Sequence, residues 1–124
     1  MILVVDDDSQ VRATIRRALV ELGYEVGEAA DGEAALAALR EAERPLLVIL
    51  DYVMPGMDGA QVAREIAAID PDLPVIFSTG HAALRALRAA AGEDVPILEK
   101  PFTLDELDAL LRERLAEARR ARFA

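Results

Sequence analysis

The feature of this sequence that most constrains its fold is a regular alternation of short apolar runs with longer helical patterns. The apolar runs, which are typical of strands, are "ILVV" (Ile2–Val5), "PLLVIL" (Pro45–Leu50), "PVIF" (Pro74–Phe77) and "VPIL" (Val95–Leu98). Short β-prone runs that are apolar on both faces indicate strands covered on both sides. A further run, "YEVGEA" (Tyr24–Ala29), is more polar, which indicates a strand at an edge of the sheet.

Five helical patterns lie between and after these runs, and their ends carry ordinary helix signals. Hydrophobic residues from Val11 to Leu22 recur at helical spacing and stop at Gly23, a residue that favours the C-terminus of a helix. The predicted N-terminal caps are Asp8 or Ser9 for the first helix, Asp58 for the third, and Thr103 with Glu106, as a capping box, for the fifth.

This alternation predicts an α/β fold with a five-stranded, doubly wound parallel sheet and five helices, because right-handed crossovers place a helix over a face of the sheet at each return. The expected strand order is 2-1-3-4-5, which leaves the polar second strand at an edge. A chain of 124 residues is expected to form a single domain over residues 1–124, with a core of about residues 2–115 and a last helix that runs to the end. No output domain is expected in this chain.

Composition excludes several classes of function. Acidic residues number 23 against 14 basic ones, a net charge of −9, which argues against a nucleic-acid-binding surface. The absence of cysteine rules out disulfides and thiolate metal sites. No apolar run approaches the length of a membrane span, and the N-terminus lacks the basic leader of a signal peptide, so a cytoplasmic protein is expected.

Polar side chains follow the apolar runs at the expected carboxyl ends of four strands. Asp6 and Asp7 follow strand 1, Asp51 follows strand 3, Thr79 follows strand 4 and Lys100 follows strand 5. In a doubly wound sheet these ends meet at one edge, and the working crevice lies where strands 1 and 3 part. The sequence therefore predicts a cluster of reactive groups at this edge.

The residue types in this cluster favour phosphoryl transfer. Carboxylates this close raise one another's pKa values unless a cation is present, and an all-oxygen ligand set fits Mg²⁺ or Mn²⁺. Lys100 would add a positive charge and Thr79 a hydroxyl donor. Such a site transfers phosphoryl groups mainly by positioning and charge neutralisation, and Asp51 could serve as the nucleophile that forms an aspartyl phosphate.

Four motifs together resemble the receiver domain of bacterial two-component response regulators, both the stand-alone type and the type attached to hybrid kinases. The motifs are "ILVVDDD", "LLVILDYVMPGMDG", "VIFSTGH" and "ILEKPF", and they occur in the family's order from about Ile2 to Leu115. The resemblance implies a flavodoxin-like fold. It also implies a phosphorelay protein that takes a phosphoryl group from a histidine kinase or a histidine phosphotransfer protein.

The resemblance also implies a role for each residue of the site. Asp6 and Asp7 would hold Mg²⁺ together with Asp51, which would be the phosphoacceptor. The remaining expected groups are the backbone carbonyl of Val53 as a metal ligand, the Thr79 hydroxyl on a phosphoryl oxygen, Lys100 against Asp51 or its phosphate, and a cis peptide bond before Pro101.

Two positions invite separate interpretation. Receivers usually carry a tyrosine or phenylalanine three residues before the lysine, and this chain has Ile97 there. Signalling would then depend on backbone shifts in the loop after strand 4 and in the next helix. His81, the only histidine, reads as a solvated loop residue; alternatively, it tunes the attack of water on the aspartyl phosphate.

Three function classes are open at this point. A receiver would be a phosphoacceptor that assists its own phosphorylation and dephosphorylation, rather than an enzyme, and would bind a downstream protein through helix 4, strand 5 and helix 5. An aspartate-based phosphohydrolase would want a second acid two residues after the nucleophile, where this chain has Val53. A degenerate receiver that acts only as a binding module would lack Asp51, Lys100 or one of the acidic pair, and all are present. The sequence favours the receiver.

Overall fold

The computed structural model describes residues 1–41 and 43–123, and these residues alternate between strand and helix as the sequence predicts. The strands are β1 (Ile2–Val5), β2 (Val26–Ala29), β3 (Leu47–Asp51), β4 (Val75–Gly80) and β5 (Ile97–Lys100). The helices are α1 (Ser9–Glu21), α2 (Gly32–Glu41), α3 (Gly59–Ile69), α4 (Leu84–Ala91) and α5 (Leu104–Phe123), with a short 3-10 turn at His81–Ala83.

The five strands form one sheet in the order β2-β1-β3-β4-β5, and every neighbouring pair is parallel. The predicted fold class and strand order are therefore confirmed, and the polar strand β2 lies at an edge. The register aligns Val5 with Leu50 and Leu50 with Phe77, so the carboxyl ends of β1, β3 and β4 lie at the same edge.

The strand ends differ from the predicted ones by a few residues. β4 continues to Gly80 and β5 to Lys100, because Thr79 pairs with Glu99 and Gly80 with Lys100 in the parallel ladder. The apolar pattern ends earlier because it reports burial, whereas backbone hydrogen bonding determines where a strand ends. As a result, Thr79 and Lys100 are held by strand backbone rather than by loops.

Both faces of the sheet are covered by helices, which explains the all-apolar strands. In β1, Leu3 and Val5 face one cluster of buried side chains while Ile2 and Val4 face the other. The helical members of the first cluster are Ala35, Leu36, Val62, Ile66 and Leu87, and those of the second are Ile15, Leu19, Leu107 and Leu111. The two clusters pack on opposite faces of the sheet and so fix the position of its carboxyl edge.

The helix caps follow the sequence signals. Asp8, rather than Ser9, caps α1, and its carboxylate accepts hydrogen bonds from two backbone N–H groups of the first turn. Thr103 and Glu106 form the reciprocal capping box of α5. The prediction that the last helix reaches the end of the chain extends to Ala124, which lies outside the described residues, and the extent of the domain stays a prediction.

Candidate functional site

The carboxyl edge of the sheet gathers three carboxylates. Asp6 directly follows β1, Asp7 is its neighbour, and Asp51 is the last residue of β3. One oxygen of each lies within 4.8 Å of the others. Asp6 and Asp51 are buried, whereas Asp7 is exposed. The structure thus brings together the three acids that the sequence places at strand ends.

Lys100 at the end of β5 reaches across to this cluster. Its Nζ lies 3.2 Å from Oδ2 of Asp6 and 3.5 Å from Oδ1 of Asp51, and its side chain is 26% exposed. A cation between two buried carboxylates reduces their mutual repulsion. The shorter contact is to Asp6, whereas the family resemblance implied only the contact with Asp51 or its phosphate.

Further contacts, which were not predicted from the sequence, hold the side chain and backbone of Asp6 in place. Its Oδ1 accepts a hydrogen bond of 2.9 Å from the backbone N–H of Asp8. Arg12 on α1 donates to the backbone carbonyl of Asp6 at 2.6 Å and forms an ion pair of 3.3 Å with Glu28 on β2. The only signal in the sequence is the position of Arg12 about one turn after the start of α1, which does not by itself indicate a contact with Asp6.

The Asp51 carboxylate titrates well above the ordinary range. Its pKa is raised from 3.8 to about 6, chiefly because burial disfavours the charged form. The positive charge of Lys100 opposes this shift, the negative charge of Asp6 adds to it, and a hydrogen bond from the backbone of Val53 lowers the pKa again. The carboxylate is therefore incompletely compensated by the protein alone.

Two hydroxyl groups of β4 lie beside Asp51. Ser78 pairs with Asp51 in the ladder, and Thr79 is the next residue. Thr79 is buried, and its hydroxyl donates a long hydrogen bond of 3.3 Å to the carbonyl of Gly80. The Ser78 hydroxyl is also buried and has no hydrogen-bond partner among the described residues. A hydroxyl can rotate about its C–O bond, so either group could donate to an acceptor brought within hydrogen-bond distance.

The loop after β3 is held tightly against α3. A Cβ at Gly59 would lie 2.7 Å from the carbonyl oxygen of Asp51 and 2.7 Å from Cα of Tyr52, so only glycine fits here. The Gly59 N–H donates to the carbonyl of Tyr52 at 2.8 Å. The side chain of Val53 is exposed, and Gly56 adopts a φ of 81° in the turn that follows. This packing fixes the backbone around Asp51.

The remaining predicted positions lie around the cluster rather than in it. His81 begins the turn after β4, is 91% exposed, and its Nδ1 lies 3.0 Å from Oε1 of Glu99. Ile97 begins β5 and packs against the apolar cluster that contains Leu87 of α4. The peptide bond before Pro101 is cis.

The donor set fits a hard divalent cation. Among the described residues, the side chains that cluster closely enough to hold a metal are three carboxylates, two of them buried, and the chain has no cysteine. Oxygen-only sites with few protein ligands are typical of Mg²⁺ and Mn²⁺. The raised pKa of Asp51 points the same way, because an additional positive charge would favour its ionised form.

Comparison with known proteins gives consistent matches. A family model described as "Response regulator receiver domain" matches residues 2–112. The response regulator MprA of Mycolicibacterium vanbaalenii is 42% identical over 113 residues, which cover 90% of this chain and 48% of that protein. MprA of Mycobacterium avium is also 42% identical over 113 residues, 90% of this chain and 49% of that protein. The chain spans about half the length of these regulators.

Solved structures agree with these matches. The receiver domain of NtrX from Brucella abortus is similar with a TM-score of 0.86 and 34% identity, covering 94% of this chain and 98% of that one. A response regulator receiver domain from Clostridium thermocellum gives a TM-score of 0.86 at 32% identity, with 95% of each chain covered. Among the described helices, none has the length and apolar character needed to cross a membrane. The chain belongs to the response regulator receiver domain family of two-component signal transduction.

Proposed function

We propose that this chain is a Mg²⁺-dependent phosphorelay receiver in which Asp51 accepts a phosphoryl group from a phosphohistidine. The donor would be a histidine kinase or a histidine phosphotransfer protein, and phosphorylation would change the affinity for a downstream protein. The observation that carries this proposal is the convergence of Lys100 and the Asp6–Asp7 pair on the buried Asp51 at the end of β3.

In the proposed reaction, a carboxylate oxygen of Asp51 attacks the phosphorus atom. An O–P bond forms and the P–N bond of the phosphohistidine breaks, with its electron pair returning to the imidazole ring. Lys100 lies close enough to Asp51 to neutralise charge on the transferred oxygens, and Thr79 can donate its hydroxyl to one of them. Because this transfer depends on positioning, the tightly packed loop after β3 contributes directly.

The metal would be Mg²⁺ or Mn²⁺, held by Asp6, Asp7, Asp51 and the backbone carbonyl of Val53. When bound, it would supply positive charge that offsets the carboxylates and the phosphoryl oxygens. The chain would act as a phosphoacceptor that assists its own phosphorylation and dephosphorylation, rather than as an enzyme with a separate substrate. The phosphohydrolase alternative lacks its second acid, because Val53 occupies that position.

His81 is proposed to influence how long the phosphoryl group persists. It lies two residues beyond Thr79 and is held near β5 by Glu99. If it tunes the attack of water, His81→Ala will change the lifetime of the aspartyl phosphate without preventing its formation. An unchanged lifetime would leave His81 as the solvated loop residue of the simpler interpretation.

The proposed surface for a downstream protein is formed by α4, β5 and α5. We expect the protein itself to lie in the cytoplasm. A shallow groove of about 450 Å³ lies on α4, with an apolar side of Leu84 and Ala89 and two cations, Arg85 and Arg88. Tyr52, the residue after Asp51, contacts Ala86 of α4 through its hydroxyl at 3.4 Å, so phosphorylation could affect this surface through α4. Coupling between such sites is usually worth about 1–3 kcal/mol.

Incubation with acetyl phosphate and Mg²⁺, followed by intact-mass measurement, tests the proposed function. We expect a mass increase of one phosphoryl group in the wild type, no increase in Asp51→Asn, and none after chelation of divalent cations. Asp7→Asn, which removes a proposed metal ligand, should raise the Mg²⁺ concentration that phosphorylation requires. A protein that hydrolyses acetyl phosphate rapidly without accumulating modified chain would indicate the phosphohydrolase, and one that never gains mass would indicate a binding module.

A further inference from the structure

Tyr52 directly follows the phosphoacceptor, and its side chain contacts helix α4. Its hydroxyl donates a hydrogen bond of 3.4 Å to the backbone carbonyl of Ala86, which lies within α4. The ring packs against the apolar cluster that contains Leu87, the buried residue of this eight-residue helix. One side chain thus joins the residue beside Asp51 to the helix that carries the proposed partner surface.

The backbone of Tyr52 has little freedom of its own. Its N–H donates to the carbonyl of Ser78 at 3.1 Å, and its carbonyl accepts from Gly59 at 2.8 Å. The close approach of Gly59 leaves no room for the Asp51–Tyr52 backbone to relax toward α3. We expect a displacement of Asp51 to move the Tyr52 ring rather than to be absorbed in the loop.

Ile97 offers no second side-chain hydrogen bond that could link β5 to α4. It packs against the same cluster as Tyr52 but carries no polar group that could bind β4 or α4. We propose that Tyr52 is the positioning residue that couples the state of Asp51 to α4, in place of an aromatic side chain at position 97. This inference rests on the proposed function of Asp51 and adds the side chain through which that function reaches α4.

Hydrogen exchange of α4, with and without the phosphoryl group, tests the proposal in wild type and Tyr52→Phe. Tyr24→Phe is the matched control, because it makes the same change at the chain's other tyrosine, which lies before β2 at the opposite end of the sheet. A beryllium fluoride adduct formed with Mg²⁺ serves as a stable substitute for the aspartyl phosphate. Mass after acetyl phosphate treatment confirms separately that each variant is phosphorylated.

In the wild type and Tyr24→Phe, we expect the adduct to change the exchange rates of the α4 amides. In Tyr52→Phe, these amides should exchange roughly two- to tenfold faster before the adduct forms, the effect of one lost hydrogen bond. The ratio of the α4 exchange rates with and without the adduct should then lie closer to one in Tyr52→Phe than in the wild type. A purely structural role would speed exchange equally in both states and leave this ratio unchanged.

Each outcome decides one of the two proposals. If all variants are phosphorylated but Tyr52→Phe keeps the wild-type ratio, the coupling through Tyr52 is wrong and the phosphoacceptor function stands. If the wild-type α4 does not respond to the adduct, the coupling is again wrong. If the wild type gains no mass from acetyl phosphate, the proposed function fails, and the inference that rests on it fails too.

Discussion

Replacement of Asp51 by asparagine should change the pH dependence of stability in a direction that the buried site dictates. The folded-state pKa of about 6 exceeds the value of 3.8 expected for an exposed aspartate, so the folded protein binds the proton more tightly than the unfolded chain. The resulting stabilisation is fully present below the unfolded pKa and is lost as pH rises through the folded one. Over the whole window it amounts to about 3 kcal/mol.

The assay is urea unfolding of wild type and Asp51→Asn at about pH 5 and about pH 8, with divalent cations chelated. Between these pH values the wild type should lose about 1.4 kcal/mol that the variant keeps, because asparagine does not titrate. Any constant effect of the new amide beside Lys100 cancels when the two pH values are compared. Asp94→Asn, which removes an exposed carboxylate in the loop before β5, is the matched control.

Parallel pH profiles for wild type and Asp51→Asn would refute the reasoning, since burial would then not disfavour the charged carboxylate. The same would follow if Asp94→Asn reproduced the effect. Addition of Mg²⁺ at about pH 8 should stabilise the wild type more than Asp51→Asn, because a ligand that binds only the folded state stabilises it by mass action. Equal stabilisation of both proteins would place the cation elsewhere.

Three further substitutions probe the packing and charge of the site. Gly59→Ala places a Cβ 2.7 Å from two backbone atoms of the Asp51 loop and should lower the free energy of unfolding by about 1–3 kcal/mol. Gly80→Ala is the control and should cost much less, because the space around its Cβ is open. Equal costs for the two substitutions would contradict the close packing at Gly59. Ser78→Ala should leave the free energy of unfolding in urea nearly unchanged or raise it, because the buried Ser78 hydroxyl has no partner among the described residues. A decrease of more than about 1 kcal/mol would mean that this hydroxyl does form a stabilising hydrogen bond. Lys100→Met leaves two buried carboxylates without their shared cation and should lower the free energy of unfolding by about 2 kcal/mol near neutral pH. Mg²⁺ should restore part of this loss. An unchanged free energy of unfolding would mean that Lys100 does not compensate the two carboxylates.

The fold and the membership of the acidic cluster could be predicted because both follow from local patterns and one topological rule. Strands covered on both faces are apolar throughout, so β1, β3 and β4 stand out without any knowledge of their partners. Once these strands are parallel, the residues at their carboxyl ends must share an edge. Asp6, Asp51 and Lys100 were found in this way.

The contacts between side chains of distant elements could not be predicted in the same way. The bond from Arg12 to the carbonyl of Asp6, and that from Tyr52 to α4, depend on how a helix sits over the sheet, which no motif records. A groove of about 620 Å³, larger than the groove on α4, is another case. It lies at the opposite end of the sheet, where Tyr24 and Leu46 meet α5, and none of the acidic cluster lines it, so groove size does not lead to the predicted site.

The unequal compensation of the two buried carboxylates gives a physical reason why Asp51, rather than Asp6, suits the proposed role of phosphoacceptor. Asp6 has a backbone N–H on one oxygen and the closer contact with Lys100 on the other. Asp51 accepts a hydrogen bond from the backbone of Val53 and lies at the longer distance of 3.5 Å from Lys100, and its pKa stays raised despite both. Its negative charge is thus the one that these contacts offset least against burial, so any added cation should act first on Asp51. The same shortfall leaves its oxygens less committed to donors within the protein, and a nucleophile needs a free electron pair at the moment of attack.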